Sequence, residues 1–200
     1  MKRIVNALLL LIASFILSDH TQAQPLSQSK GFTHADTLRG TYGPSRDWWD
    51  VLKYNLNVRF NIKDSTINGH NDIQFKVLKN GTIMQFDLQD PMIVDSIIAH
   101  IRDYKVMKHP RLPFRKDGNA YFIEAPDFNG SKINYITVYF HGKPRIARRP
   151  PWDGGLIWRK SKDGSPWVSA ACQGLGASVW YPCKDHQSDE PDSAELRITC

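Results

Sequence analysis

The histidines are the natural place to look for a reaction centre, and they do not form one. His20, His34, His70, His100, His109, His141 and His186 are scattered, and no two stand at the i, i+4 spacing of a helical metal pair. The sequence contains no H-E-x-x-H, no G-x-S-x-G and no phosphate-binding glycine loop. His70 and Asp72 alternate along one stretch, and His186 precedes Asp189 and Glu190. Neither set has the ligand spacing of a zinc site, and polar histidines on a β surface account for both. The 200 residues therefore carry no reaction by themselves. What chemistry they hold is concentrated in residues 172–185, Cys-Gln-Gly-Leu-Gly-Ala-Ser-Val-Trp-Tyr-Pro-Cys-Lys-Asp, followed by Asp189-Glu190-Pro191. Trp180, Tyr181 and Pro182 read as packing. Asp189, Glu190 and Pro191 read as a turn or a helix start, not as a catalytic carboxylate pair.

The elements that must position this stretch are strands. Tyr54, Leu56, Val58, Phe60 and Ile62 fall at every second position with polar residues between them, the period of a half-buried strand. Asp64-Ser65-Thr66 supplies a turn, and Ile73, Phe75 and Val77 resume the alternation, which predicts an antiparallel hairpin. A third strand carries Met84, Phe86 and Leu88 on one face and stops at Pro91. Ile97, Ile98 and Ile101 would suit a helix, but the β-branched content of Ile93–Ile101 favours a strand. Asp117-Gly118-Asn119 and Lys162-Asp163-Gly164 mark two further tight turns, and residues 133–140 make a β-branched and aromatic strand. Strands at intervals of about 8–12 residues with turns between them predict an all-β domain, a sandwich or an open barrel. Residues 24–45 show little periodicity and read as a linker or extended arm.

Lys2 and Arg3, the apolar run Ile4–Leu17 and the small-residue end of Thr21-Gln22-Ala23 predict a signal peptide over residues 1–23. That run is shorter than the ~20 residues of a membrane span, so no span is expected after its removal. The expected destination is the periplasm or the medium. The formal charge of +6 falls to +5 without the signal, since Lys2, Arg3 and Asp19 sum to +1. Basic residues are spread along the chain, apart from Lys143, Arg145, Arg148 and Arg149, and no stripe of Lys and Arg with interleaved aromatics points to nucleic acid. Cys172, Cys183 and Cys200 are too few for a disulfide framework. Export permits a Cys172–Cys183 bridge, and two buried thiols are the other reading.

The 172–191 segment resembles one in the aminopeptidase N/leukotriene hydrolase family of gluzincin metallopeptidases. There a Gln is followed by a short gap, Ala-Arg, and then aromatic-Pro-Cys-x-Asp-Glu-Pro. Arg46-Asp47-Trp48-Trp49-Asp50-Val51, Tyr54-Asn55-Leu56, Ile67-Asn68-Gly69 and Asp87-Leu88 follow the family's opening pattern, so the resemblance covers residues 46–200. It implies a β-saddle N-terminal domain of an exported zinc aminopeptidase that removes N-terminal residues from peptides. The zinc ligands, the catalytic Glu and the rest of the catalytic domain are expected beyond residue 200, so this segment alone is predicted to bind no metal and to be inactive. Its terminal stretch Leu196–Cys200 reads as a strand without a closing turn, which suggests a chain cut short.

Gln173 matches the family Gln that helps hold the N-terminal end of the substrate. An amide suits that work, because its oxygen accepts from an ammonium and its NH2 donates to a carbonyl. Two departures stand out: Ser178 replaces the family's Arg, and His186-Gln187-Ser188 is inserted before Asp189. The competing reading is a non-enzymatic exported β-sandwich binding module. A bifunctional epoxide hydrolase differs from the leading reading in substrate only.

Overall fold

The structure, a computed structural model, describes residues 31–103, 106–126, 128, 130 and 133–200. The expected signal peptide and residues 24–30 of the expected arm lie outside the described residues.

The alternation that starts at Tyr54 belongs to β1 (Trp49–Asn61), which pairs antiparallel with β2 (Thr66–Val77). The buried residues of β1 are Trp49 and Val51, then Tyr54, Leu56, Val58 and Phe60. Their parity changes because the ladder slips between Val51 and Lys53. This bulge lets two registers of apolar residues face one core. On β2 the core face carries Ile67, Asn71, Ile73 and Phe75. Gly69 lies where β1 passes too closely for a side chain, since a Cβ there would stand 2.0 Å from the Asn57 carbonyl oxygen.

The remaining strands are β3 (Ile83–Asp87), β4 (Ile93–Asp103), β5 (Val106–Lys108), β6 (Arg111–Leu112), β7 (Phe114–Asp117), β8 (Ala120–Glu124), β9 (Ile133–Gly142), β10 (Gly155–Lys160), β11 (Pro166–Ala171) and β12 (Ser193–Thr199). The main sheet has the order β12-β1-β2-β9-β4-β5, with β6 also on β4. A second sheet has the order β3-β8-β7, and β10 and β11 form a separate hairpin. The sheets stay open, and pairing is antiparallel except that β12 lies parallel to β1. The segment that suited either helix or strand is β4, with Ile97 and Ala99 fully buried.

Strand β3 differs from a half-buried strand. Besides Met84 and Phe86, its polar Gln85 and Asp87 are buried as well: Gln85 bonds to Ser45 and to the Leu38 carbonyl, and Asp87 meets Arg46, Cys183 and Asp185.

Within residues 24–45, read from the sequence as a linker or extended arm, His34–Gly40 forms a short helix, α1. Thr33 caps it by accepting from the Asp36 amide, and the Asp36 carboxylate accepts from the Thr33 amide in return, a reciprocal capping box. Asp36 in the first turn and Arg39 in the last suit the helix dipole. Seven residues are too few for a helix to stand alone in water. Its C-terminal carbonyls are held from below: Arg46 Nη1 donates to the carbonyls of Leu38, Arg39 and Thr41, and Gln85 Nε2 donates to Leu38 O.

Candidate functional site

Gln173 stands just past the end of β11, in a turn that closes when the amides of Leu175 and Gly176 both donate to the Cys172 carbonyl at 3.2 and 2.8 Å. Gly174 and Gly176 make the turn possible, with φ of +72° and +80°. Gly176 has a second reason to lack a side chain, since a Cβ there would lie 2.0 Å from Asp185 Oδ1. The Gln173 side chain is exposed and has no hydrogen-bond partner among the described residues. Behind the turn is a cavity of about 180 Å³ lined by Leu38, Asp87, Gln89, Asn119, Ser178 and Asp185 among others. A larger apolar groove, about 520 Å³, lies between the β10–β11 hairpin and the ends of β1 and β12, and Gln173 does not line it.

From the turn the chain passes through a short 3-10 turn, Ala177–Val179, and then runs down across β1, β2 and β3. Trp180 packs against Phe60, and the ring of Tyr181 meets that of Tyr54 edge-on at 6.0 Å. The Pro182 carbonyl accepts from the buried Asn71 amide at 2.9 Å. Cys183 and Asp87 exchange both backbone hydrogen bonds, and the Lys184 amide donates to the Tyr54 hydroxyl. Packing is thus the role of Trp180, Tyr181 and Pro182, as their types suggest.

Two charged pairs sit in this junction, and sequence reasoning missed both. Arg46 is fully buried and donates from Nη2 to Asp87 Oδ2 at 2.6 Å. The Asp87 carboxylate also accepts from Gln85 Nε2 and from the Asp185 amide, both at 3.2 Å. Burial pushes the Asp87 carboxyl up, while Arg46 and these hydrogen bonds pull it down. On balance burial prevails, and the Asp87 carboxyl lies above its ordinary value.

The second pair is Lys184 with Asp189, whose side chains are 0 % and 2 % exposed. Lys184 Nζ also donates to the Trp49 carbonyl and lies 4.4 Å over the Trp49 ring and 5.3 Å over the Tyr42 ring. Burial lowers the Lys184 pKa, and Asp189 opposes that shift. Asp189 Oδ1 accepts from the Val51 amide at the β1 bulge. Its role is structural, as expected, but the Asp189-Glu190-Pro191 turn leads into strand β12 and starts no helix. The signal available in the sequence was the crowding of Arg46 and Lys184 against aromatic residues that had to be buried.

Ser178, at the position of the family's Arg, is buried, and its hydroxyl donates to Asp185. All three cysteines are free thiols, and burial raises the pKa of Cys172 and Cys183. His70 bonds to Asn57 and lies against the Tyr139 ring, Asp72 accepts from Thr137, and His186 bonds to Ser188 and to the Gly40 carbonyl. Among the described residues, no three His, Cys, Asp or Glu side chains are grouped so as to hold a metal ion, and no helix is long and apolar enough to cross a membrane.

No protein-family model matches the sequence, and no curated protein matches it. Solved structures do. Native leukotriene A4 hydrolase of yeast superposes with a TM-score of 0.57 at 19 % identity, over 76 % of this chain and 23 % of that one. The M1 zinc metallopeptidase of Deinococcus radiodurans gives 0.54 at 16 % identity, over 76 % of this chain and 32 % of that one. A mutant of the same enzyme bound to a Tyr-Ser-Ala substrate gives 0.52 at 14 % identity, over 77 % of this chain and 33 % of that one. At these identities the likeness is one of fold, and the chain spans 23–33 % of the length of these structures. It has the fold of the N-terminal domain of leukotriene A4 hydrolase and the M1 zinc metallopeptidases.

Proposed function

We propose that this chain is the N-terminal structural and substrate-binding domain of an exported zinc-dependent aminopeptidase, with its catalytic domain encoded beyond residue 200. The observation that carries the proposal is Gln173: a free, exposed amide on a turn held by two backbone hydrogen bonds, at the position the family pattern assigns to substrate binding. The fold likeness supports the family. The signal-like residues 1–23 support export to the periplasm or the medium, and the spread of basic residues gives no support to a nucleic-acid partner.

The partners in this reading are peptides with a free N-terminus and the chain's own catalytic domain. Zinc would activate the attacking water there. Among the described residues no group of His, Cys, Asp or Glu fits as its ligands, and the part proposed for this segment is substrate binding. The Gln173 side chain would accept from the substrate ammonium through its oxygen and donate to the first carbonyl through its NH2. Both contacts orient the N-terminal residue without taking its proton.

Two experiments test this. The reading frame past codon 200 should encode H-E-x-x-H with a downstream Glu. A stop codon there would favour the binding module. In the complete enzyme, Gln173→Ala should lower kcat/KM about ten- to hundredfold, from hydrogen bonds worth about 1.5–3 kcal/mol to a charged partner. A loss confined to KM would mean that ground and transition states are held alike. Gln187→Ala, in the inserted turn, is the control. Unchanged kinetics for Gln173→Ala at matched zinc loading would refute the substrate role.

A further inference from the structure

The apolar groove beside β12 has nothing in the structure to say what covers it. The hydrogen-bonded row Asp72, Thr137, His100 and His109 on the sheet face ends at the exposed His109 with nothing in the structure to name a ligand. The chain of polar contacts behind the Gln173 turn is different, because it is continuous, runs from the buried Arg46 through partly buried groups and ends on the candidate site.

It can be followed atom by atom. Arg46 donates to Asp87, and Asp87 accepts from the amide of Asp185. The Asp185 carboxylate accepts from the Ser178 hydroxyl. With its proton committed there, Ser178 Oγ can only accept from Gln89, whose Nε2 lies 2.9 Å away. The other Nε2 hydrogen of Gln89 reaches the Leu175 carbonyl at 2.6 Å. Both partners are acceptors toward Gln89, so the amide can take only one orientation. The Gln89 backbone amide donates to the Ser178 carbonyl at 2.9 Å as well. Leu175 is the residue whose own amide closes the turn onto Cys172. Gln89 therefore grips the turn from inside while Gln173 points out of it.

We propose that Gln89, acting with Ser178 and Asp185, is the positioning residue for Gln173: it holds the 172–176 turn in the one geometry that presents the Gln173 amide to substrate. The proposal rests on the substrate-binding reading of Gln173. It also gives Ser178 a definite task. The hydroxyl at this buried position relays between a carboxylate and an amide, which an Arg cannot do because it has no acceptor.

The experiment has one arm on this chain and one on the complete enzyme. In the chain, Gln89→Met keeps the side-chain volume and removes both donors. Hydrogen exchange at the Leu175 and Gly176 amides should speed up about five- to thirtyfold, with the β1–β2 ladder unchanged. Ser178→Ala should do the same to a smaller degree and serves if Gln89→Met folds poorly. In the complete enzyme, Gln89→Met should lower kcat/KM by a similar factor, and it should add nothing in a Gln173→Ala background, because the two act through one contact. Unchanged exchange in both variants overturns the proposal. So does full additivity of Gln89→Met with Gln173→Ala, which would mark a merely structural effect. Faster exchange with normal kinetics in Gln173→Ala overturns the substrate reading of Gln173 and the positioning role that rests on it, and leaves the gripped turn as a feature of the fold.

Discussion

Arg46→Met should be among the most damaging single substitutions in this domain. The side chain makes four hydrogen bonds: to the carbonyls of Leu38, Arg39 and Thr41 at 2.8, 3.2 and 3.0 Å, and to Asp87 at 2.6 Å. Methionine fills the space but leaves Asp87, whose side chain is 8 % exposed, as a buried anion with two hydrogen bonds and no counter-ion. Breaking a buried pair from one side costs about 3–5 kcal/mol. For a domain of this size that corresponds to roughly 6–20 °C in Tm, measured by circular dichroism of the purified chain. The double variant Arg46→Met with Asp87→Leu separates the charge from the other contacts. With both charges gone, most of the desolvation penalty goes too, so the double variant should melt above Arg46→Met, short of wild type by the three lost carbonyl contacts. A double variant that melts at or below Arg46→Met would refute the reasoning, and so would an Arg46→Met shift under about 1 kcal/mol. The exchange of amides 34–41 should rise in both variants, since α1 cannot stand alone.

Two further predictions concern the turn and the histidines. Gly174→Ala meets no atom within 4 Å and should cost only the strain of a positive φ, about 1 kcal/mol, whereas Gly176→Ala also drives a Cβ into Asp185 and should cost clearly more; equal denaturation midpoints would show that Asp185 moves aside. His100 bonds to Thr137 and faces His109, and burial first, then His109, holds its pKa below the ordinary value, with Asp72 opposing. The unfolded chain therefore binds the extra proton first as pH falls, so stability present above about pH 6.5 is lost as pH drops toward the folded pKa. Urea midpoints should fall between pH 7 and pH 5, and less steeply for His100→Asn; equal slopes would exclude His100 as the cause.

Much of the sheet could be read along the chain because a strand that buries one face writes its period into neighbouring residues. Tyr54, Leu56, Val58 and Phe60 announce β1, and Ile73 and Phe75 announce β2. The tight turns at Gly118 and Gly164 were visible in the same way, and both glycines have positive φ, 56° and 88°. Gln173 could be singled out only through the resemblance, since an exposed amide leaves no periodic trace.

Tertiary structure alone decided the rest. The slip at Val51–Lys53, which brings Trp49 and Tyr54 to the same core, is stabilised by Asp189, 138 residues further on. Helix α1 carries a capping box in its sequence but too few residues for a period, and it forms on the buried guanidinium of Arg46. The parallel placement of β12 beside β1 joins strands separated by most of the domain. The sequence sets Arg46 and Lys184 beside aromatic residues but does not name Asp87 and Asp189 as their partners. Local sequence records which face of an element is apolar, but a buried charge is tolerated only where a distant partner meets it, and that meeting exists only once the chain has folded.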